Sequence, residues 1–473
     1  MKPPRAVRVV FILALPFFAC GSCDEGEAPS AKRRSPKYSP TSELDRHFPL
    51  HGLVSGIQLS IHRSPDPQSN VLGWVRIGSR IRLKRETRKS PTCQSGWHPI
   101  YPEGWLCKGE GVIIASKPPP DSLAVLPAAA AAALPYAYYK VKDQATAEFH
   151  RLPSRDEQRE VQAYIDRYLD LKADDAKRAL RFLKAELPDQ LSKPAVLNRV
   201  LDRGFYVAGV GTEIRSQRQF LKTVSGRFLK LASLVNYKGS PFRGVRVTSS
   251  DTLPIAWAIR TAQPLSAHER ADGTVAISPD STHAEIMRHA RLSWKERKRI
   301  NGRVYHVLSD GTLLRDWFVS VAELIKPPRH VGTTEIWIHI DLGAQTLVLY
   351  RGTKPMYATL ISTGITGHET PTGEFAIRQK RISDTMADLG GELDARYSIE
   401  DVPWTQYIKG SIALHGAFWH TRFGLKNSHG CINLAPTDAH ILFDYTTPHL
   451  PLGWHGMVTQ TTGTRGSLVW ITD

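Results

Sequence analysis

The sequence predicts a mainly β, multidomain chain, and three observations carry that expectation. Its 473 residues exceed what one core holds, since domains run to roughly 100–200 residues. Short alternating apolar runs broken by Gly, Pro and Asn recur along most of its length, which is the period of half-buried strands. Helical spacing is concentrated in one middle stretch. A composition of 41% hydrophobic and 23% charged residues excludes wholesale disorder and a polytopic membrane protein. The formal charge of +17 suits an acidic partner, either nucleic acid or an anionic envelope polymer.

The N-terminus chooses between them. Lys2, Arg5 and Arg8 precede an apolar run over residues 9–19. At 11 residues it is too short for the roughly 20 a bilayer span needs, so residues 1–19 read as a cleaved secretory signal. Ala19-Cys20 resembles a lipoprotein processing box, which implies acylation of Cys20 and a membrane partner through that lipid anchor. Phe17 departs from the usual Leu, and Cys23 is a competing site. The expected location is extracytoplasmic, in the periplasm or cell envelope, with no nucleic-acid partner.

Export implies an oxidising compartment for the five cysteines. Cys93 and Cys107 lie fourteen positions apart in a turn-rich segment, and a disulfide closing that loop would stabilise a small domain by about 3 kcal/mol. Cys431 then has no structural partner nearby, which flags a reactive thiol.

Residues 20–50 are polar and rich in Ser, Pro and Lys, and read as a flexible tether. Residues 51–116 alternate as in Ile57-Gln-Leu-Ser-Ile61, indicating a compact all-β unit. Arg63-Ser64-Pro65, Val71-Leu72-Gly73-Trp74 and the pairs Gly96-Trp97 and Gly104-Trp105 make it similar to a bacterial SH3-like domain. Residues 117–135, with six consecutive alanines between prolines, read as a linker. Residues 136–333 form an α+β middle region of unassigned role. In it Ser154-Arg-Asp-Glu157 is a capping box, Val161, Tyr164, Ile165 and Tyr168 share a helix face, and a second helix is expected over 175–187. From residue 205 to 325 the pattern returns to β, with Tyr305, Asp310-Gly311 and Trp317 read as hairpin and core.

The last unit, residues 334–473, opens with Ile336, Ile338 and Ile340 alternating against Trp337, His339 and Asp341 and resuming at Leu347 and Leu349, a hairpin with one buried face. Pro436, Asp438, Ile441, Leu442 and Phe443 mark a late helix. Between these elements His415-Gly416 and Ser428-His429-Gly430-Cys431 each set a reactive side chain beside glycine at a strand end. A thiol with a pKa of about 8.5 is a weak nucleophile until an imidazole takes its proton. Amides of His429, Gly430 and Cys431 are candidates to face a developing oxyanion. His415, His420, His429 and Cys431 are also competent zinc ligands, but no zinc spacing or carboxylate base accompanies them.

Ser362-Thr363-Gly364, Thr370-Pro371-Thr372-Gly373, His415-Gly416 and Ser428-His429-Gly430-Cys431-Ile432, in that order, resemble the L,D-transpeptidase catalytic domain over residues 334–461. The resemblance implies a mostly β catalytic fold, no metal or cofactor, and a thioester on Cys431 formed with a peptidoglycan tetrapeptide stem. It implies that His415 is the base, oriented by the Gly416 carbonyl, and that Ser428 is a supporting donor. His429 and Gly430 shape the site or meet substrate, and Tyr397 is a candidate for the aromatic over the oxyanion site. Asn433 departs from the arginine many members carry. The expected acceptor is a stem amine, a lysine of a wall protein, or water.

Overall fold

In the strand Ile336–Asp341 isoleucines alternate with Trp337, His339 and Asp341. The computed structural model, which describes residues 43–109, 111–120, 132–188, 191–390, 396–463 and 465–473, sets this strand inside a six-stranded sheet. It pairs antiparallel with Thr346–Arg351 and parallel with Leu468–Thr472. The expected single buried face is corrected: Ile338 and Ile340 enter one core, while Trp337 on the other face enters a second with Val348, Tyr350, Ile255 and Trp257. The middle region supplies that second cover, so the alternation of apolar residues with Trp and His records two packed faces, not one face in water.

A second, mixed sheet carries Gln379–Asp388, Tyr397–Lys409, Ile412–Gly416 and Ile432–Leu434. Trp404, Ile408, Leu414, Ile432 and Leu434 share one core with Ile338, Ile340, Leu347 and Leu349 of the first sheet, so the two sheets form one body. The helix Pro436–Tyr445 packs on it, with Pro436 in its first turn as expected. Its Asp438 is buried and accepts from Tyr357 Oη at 2.7 Å and the Gly244 amide at 2.9 Å, tying the helix to the first sheet.

Eight short strands between Leu50 and Ala115 form the N-terminal β unit. The tether ends before its expected limit at 50: Asp45 pairs with Arg82 at 2.7 Å, and Leu50 already belongs to a strand. The core of this unit includes Ile61, Leu72, Val75, Ile81 and Leu106 together with Trp454 and Met457, and Gly73-Trp74 pairs with Met457 and Gly456. A side chain at Gly73 would meet the Trp454 ring at 2.6 Å, which is why glycine stands there. Cys93 and Cys107 are joined in a disulfide. Both ends of the expected linker are held, Pro119 by Arg80 at 2.7 Å and the Ala133 carbonyl by Trp404 Nε1 at 2.7 Å.

In the middle region the capping box at Ser154 is formed, and Val161, Tyr164, Ile165 and Tyr168 are buried on Arg155–Asp174. The second helix stops at Leu183, short of 187, with Asp175 as its N-cap. Tyr305 is buried and Asp310-Gly311 turns a hairpin, but Trp317 is 56% exposed and does not belong to the core. No helix among the described residues is long and apolar enough to cross a membrane. Residues 1–19, Cys20 and most of the tether lie outside the described residues.

Replacing Cys93 and Cys107 together by serine should destabilise the N-terminal β unit by about 2–5 kcal/mol. Denaturant unfolding followed by fluorescence of that unit measures it; an unchanged midpoint would mean the bond contributes nothing there.

Candidate active site

Ile432–Leu434 runs parallel to Ile412–Gly416 with His415 opposite Asn433. That register brings the two segments singled out in the sequence side by side, with Cys431 immediately before one strand and His415 near the end of the other. The Cys431 thiol is part-buried and donates to the Ser411 carbonyl at 3.6 Å. Burial pushes this thiol above its ordinary value, opposed by the Ala413 amide.

His415 is buried, and its Nδ1 lies 3.4 Å from the Gly416 carbonyl oxygen. With the proton on Nδ1 for that contact, Nε2 keeps a lone pair. Burial holds the imidazole neutral, down to about 4, against the pull of the Gly416 carbonyl and with a smaller push from His420. Trp419 stacks on the ring at 5.6 Å between centroids. Thiol and imidazole therefore both rest uncharged, and the thiol's hydrogen bond goes to the backbone.

The turn that presents Cys431 is held on several sides. Ser428 Oγ donates to the Cys431 carbonyl at 2.6 Å and accepts from the Gly430 amide at 3.2 Å. Gly430 has a φ of +107°, a conformation that glycine adopts without strain. Its amide is thus engaged by Ser428, which corrects the expectation that three successive amides face one oxyanion. Thr370 Oγ1 donates to the Gly430 carbonyl at 2.8 Å, and the Thr363 carbonyl accepts from the Asn427 and Ser428 amides. Gln345 in turn holds Thr363 through both its amide oxygen and nitrogen. Thr363 and Thr370 therefore hold the turn, and Ser362 pairs with Asn433 just beyond it. The exposed His429 ring stacks obliquely on His368 at 4.5 Å. Asn433 Nδ2 meets His420 Nε2 at 2.9 Å.

Tyr397 opens the strand Tyr397–Lys409, and its phenol is pushed upward by burial first and then by Cys431 and Asp388. It stands within electrostatic reach of the thiol. A cleft of about 360 Å³ includes Gly410, next to the Ser411 carbonyl that receives the thiol, with Arg378, Arg381, Tyr407 and Lys409 on its walls. The sequence analysis singled out none of these four, because nothing local links them to the Cys431 turn.

The hairpin formed by Gln379–Asp388 and Tyr397–Lys409 is gripped by both other regions. Arg76 of the N-terminal unit pairs with buried Asp401, and Arg381 lies over the Trp74 ring at 3.9 Å. From the middle region Arg199 bridges Glu148 and Glu400, Arg396 meets Asp202 at 3.4 Å, and Tyr206 pairs with Ile399.

No curated protein matches the chain. Among solved structures, a cysteine-to-serine mutant of the Enterococcus faecium L,D-transpeptidase is 22% identical over 29% of this chain and 50% of its own, with a TM-score of 0.23. The Stackebrandtia nassauensis L,D-transpeptidase is 21% identical over 30% of this chain and 57% of its own, with a TM-score of 0.21. The match therefore spans only about half the length of these two proteins. The Mycobacterium smegmatis L,D-transpeptidase is 16% identical over 48% of this chain and 88% of its own, at a TM-score of 0.24. The family model YkuD, described as the L,D-transpeptidase catalytic domain, matches residues 335–465, the segment that holds His415, Cys431 and the scaffold of their turn.

Proposed function

We propose that the chain is a peptidoglycan L,D-transpeptidase with Cys431 as nucleophile and His415 as general base. The observation that carries this reading is the parallel register that sets His415 beside the Cys431 turn, inside the segment matched by the family model. The substrate is a tetrapeptide stem whose bond to terminal D-alanine is broken. The thiol proton passes to His415 Nε2 as sulfur attacks the carbonyl carbon. The resulting tetrahedral intermediate collapses to a thioester, and the departing D-alanine amine takes the proton back from His415. A stem amine then attacks the thioester to give a 3–3 cross-link; a lysine of a wall protein or water are the other acceptors.

Because burial drives the two groups apart, the thiol upward and the imidazole to about 4, the resting pair is neutral. Proton transfer must accompany attack rather than precede it. The amides of His429 and Cys431, with the Tyr397 hydroxyl, are the donors this reading assigns to the oxyanion, since the Gly430 amide serves Ser428. In the same proposal residues 51–116 form an SH3-like unit, Cys20 carries a lipid anchor, and the enzyme works outside the cytoplasm.

Incubation with a carbapenem, an acyl donor that a cysteine can open, should add one inhibitor mass to the peptide containing Cys431. Cys431→Ala should abolish the adduct, and an adduct that persists refutes the mechanism. His415→Ala should slow acylation about 10²- to 10⁴-fold, whereas His429→Ala should have the smaller effect. Muropeptide analysis of cells carrying wild type or Cys431→Ala then identifies the acceptor.

The pH dependence follows from the lowered imidazole value. His415 accepts a proton only when neutral, so acylation should stay level from neutrality downward and fall as pH drops through about 4. Stopped-flow acylation across pH 3 to 9 measures the acid limb. A midpoint near the ordinary histidine value of about 6.5 would contradict a buried neutral base.

A further inference from the structure

Three arginines gather beside the crossover that links the His415 strand to Cys431. A bridge between Ala262 and Ile286, with the Arg288 amide donating to Thr261 Oγ1 at 3.3 Å, folds Arg260 and Arg288 of the middle region toward each other. The next residue, His289, reaches the Phe423 carbonyl at 3.2 Å, and Gly424 lies so close to Ile259 that a Cβ there would be 2.3 Å from it. The middle region is thus seated on the crossover at Arg422. Arg422 in turn contacts Asn427 Oδ1 at 3.2 Å, four residues before Cys431, and lines a cleft of about 320 Å³ with His420 and Trp419, the ring stacked on His415.

Among the described residues none of these three arginines has an ion-pair partner. The Arg288 Nε and Nη2 are shut off from solvent without a hydrogen-bond acceptor. After burial, the largest influences on Arg288 are the like charges of Arg422 and Arg260, and those on His420 are Arg422 and Arg288. Cations held together with no carboxylate repel one another, and an oxyanion is the group that relieves them. The planar guanidinium suits a carboxylate or phosphate.

We propose that Arg260, Arg288 and Arg422 form an oxyanion-binding site, built jointly by the middle region and the crossover, that takes a carboxylate of the stem peptide. The choice of a peptide carboxylate rests on the proposed reaction at Cys431. The site gives the middle region, to which the sequence assigned no role, a part in selecting substrate.

The test uses the full chain carrying Cys431→Ala, which binds without turnover, and a disaccharide tetrapeptide in two forms, with free stem carboxylates and with those carboxylates amidated. Calorimetry should show amidation weakening binding about 10- to 100-fold. With Arg288→Gln added, the free-acid peptide should bind as weakly as the amidated one, and amidation should then change affinity less than about 2-fold. Arg288→Lys should restore part of the difference, and melting curves check that each variant is folded. Equal sensitivity to amidation with and without Arg288 overturns the proposal. So does an Arg288→Gln variant that loses affinity for polyglycerol phosphate while binding both peptides as before, which would assign the cluster to a wall phosphate polymer. Release of D-alanine by the unsubstituted chain reports on the reaction alone, so failure of the site and failure of the proposed function remain separable.

Discussion

The parallel pairing of Ile412–Gly416 with Ile432–Leu434 is the constraint on which the site depends. Parallel neighbours cannot be joined by a tight turn and need a crossover of roughly a dozen residues or more. Here the crossover holds Phe418, Trp419, His420, Arg422 and the Ser428–Cys431 turn. One strand pair therefore places the candidate base beside the candidate nucleophile, and its connection supplies Trp419 over the imidazole as well as Arg422. Leu414, Ile432 and Leu434 anchor this pair in the core shared by both sheets, so a shift in register would move His415 and expose apolar residues at once.

Burial sets the electrostatics of the pair. A thiolate facing an imidazolium requires surroundings that favour charge; the opposite holds here, where desolvation raises the thiol and lowers the imidazole. The same desolvation reaches a buried lysine among the structural supports. Lys380, fully buried, donates to the Phe443 and Thr446 carbonyls at the end of the helix Pro436–Tyr445, the Thr446 bond being 2.8 Å, and burial lowers its ammonium to about 7. It meets carbonyls that the helix leaves unpaired, where the helix dipole favours a cation.

The N-terminal and middle regions are both tied to the hairpin that carries Tyr397 and Tyr407. Arg76 holds Asp401 from the N-terminal side, and Arg199 holds Glu400 from the middle region, so neighbouring residues of one strand are tied to two different parts of the chain. Three carboxylates, Glu148, Glu400 and Asp401, crowd around these arginines, and burial with that crowding raises Glu400 to about 7 despite its partner. Such a network favours one arrangement because any other leaves a buried charge unpaired.

Much of this was legible without coordinates. The mainly β class, the capping box at Ser154, the helix begun by Pro436 and the pairing of Cys93 with Cys107 depend on local alternation, caps and loop length, all written in consecutive residues. His415 and Cys431 were candidates because glycine beside a reactive side chain is also a local signal. What lay beyond the sequence depends on contacts between distant segments. Trp337 is a core residue because the strand Ile255–Ala258 covers it, Trp317 is exposed because nothing does, and the Gly430 amide is engaged because the turn folds it onto Ser428. Arg288 feels the like charge of Arg422 across more than a hundred positions. Periodicity tells which side of a strand is apolar; only tertiary packing decides what lies against it, and so which buried polar groups find partners.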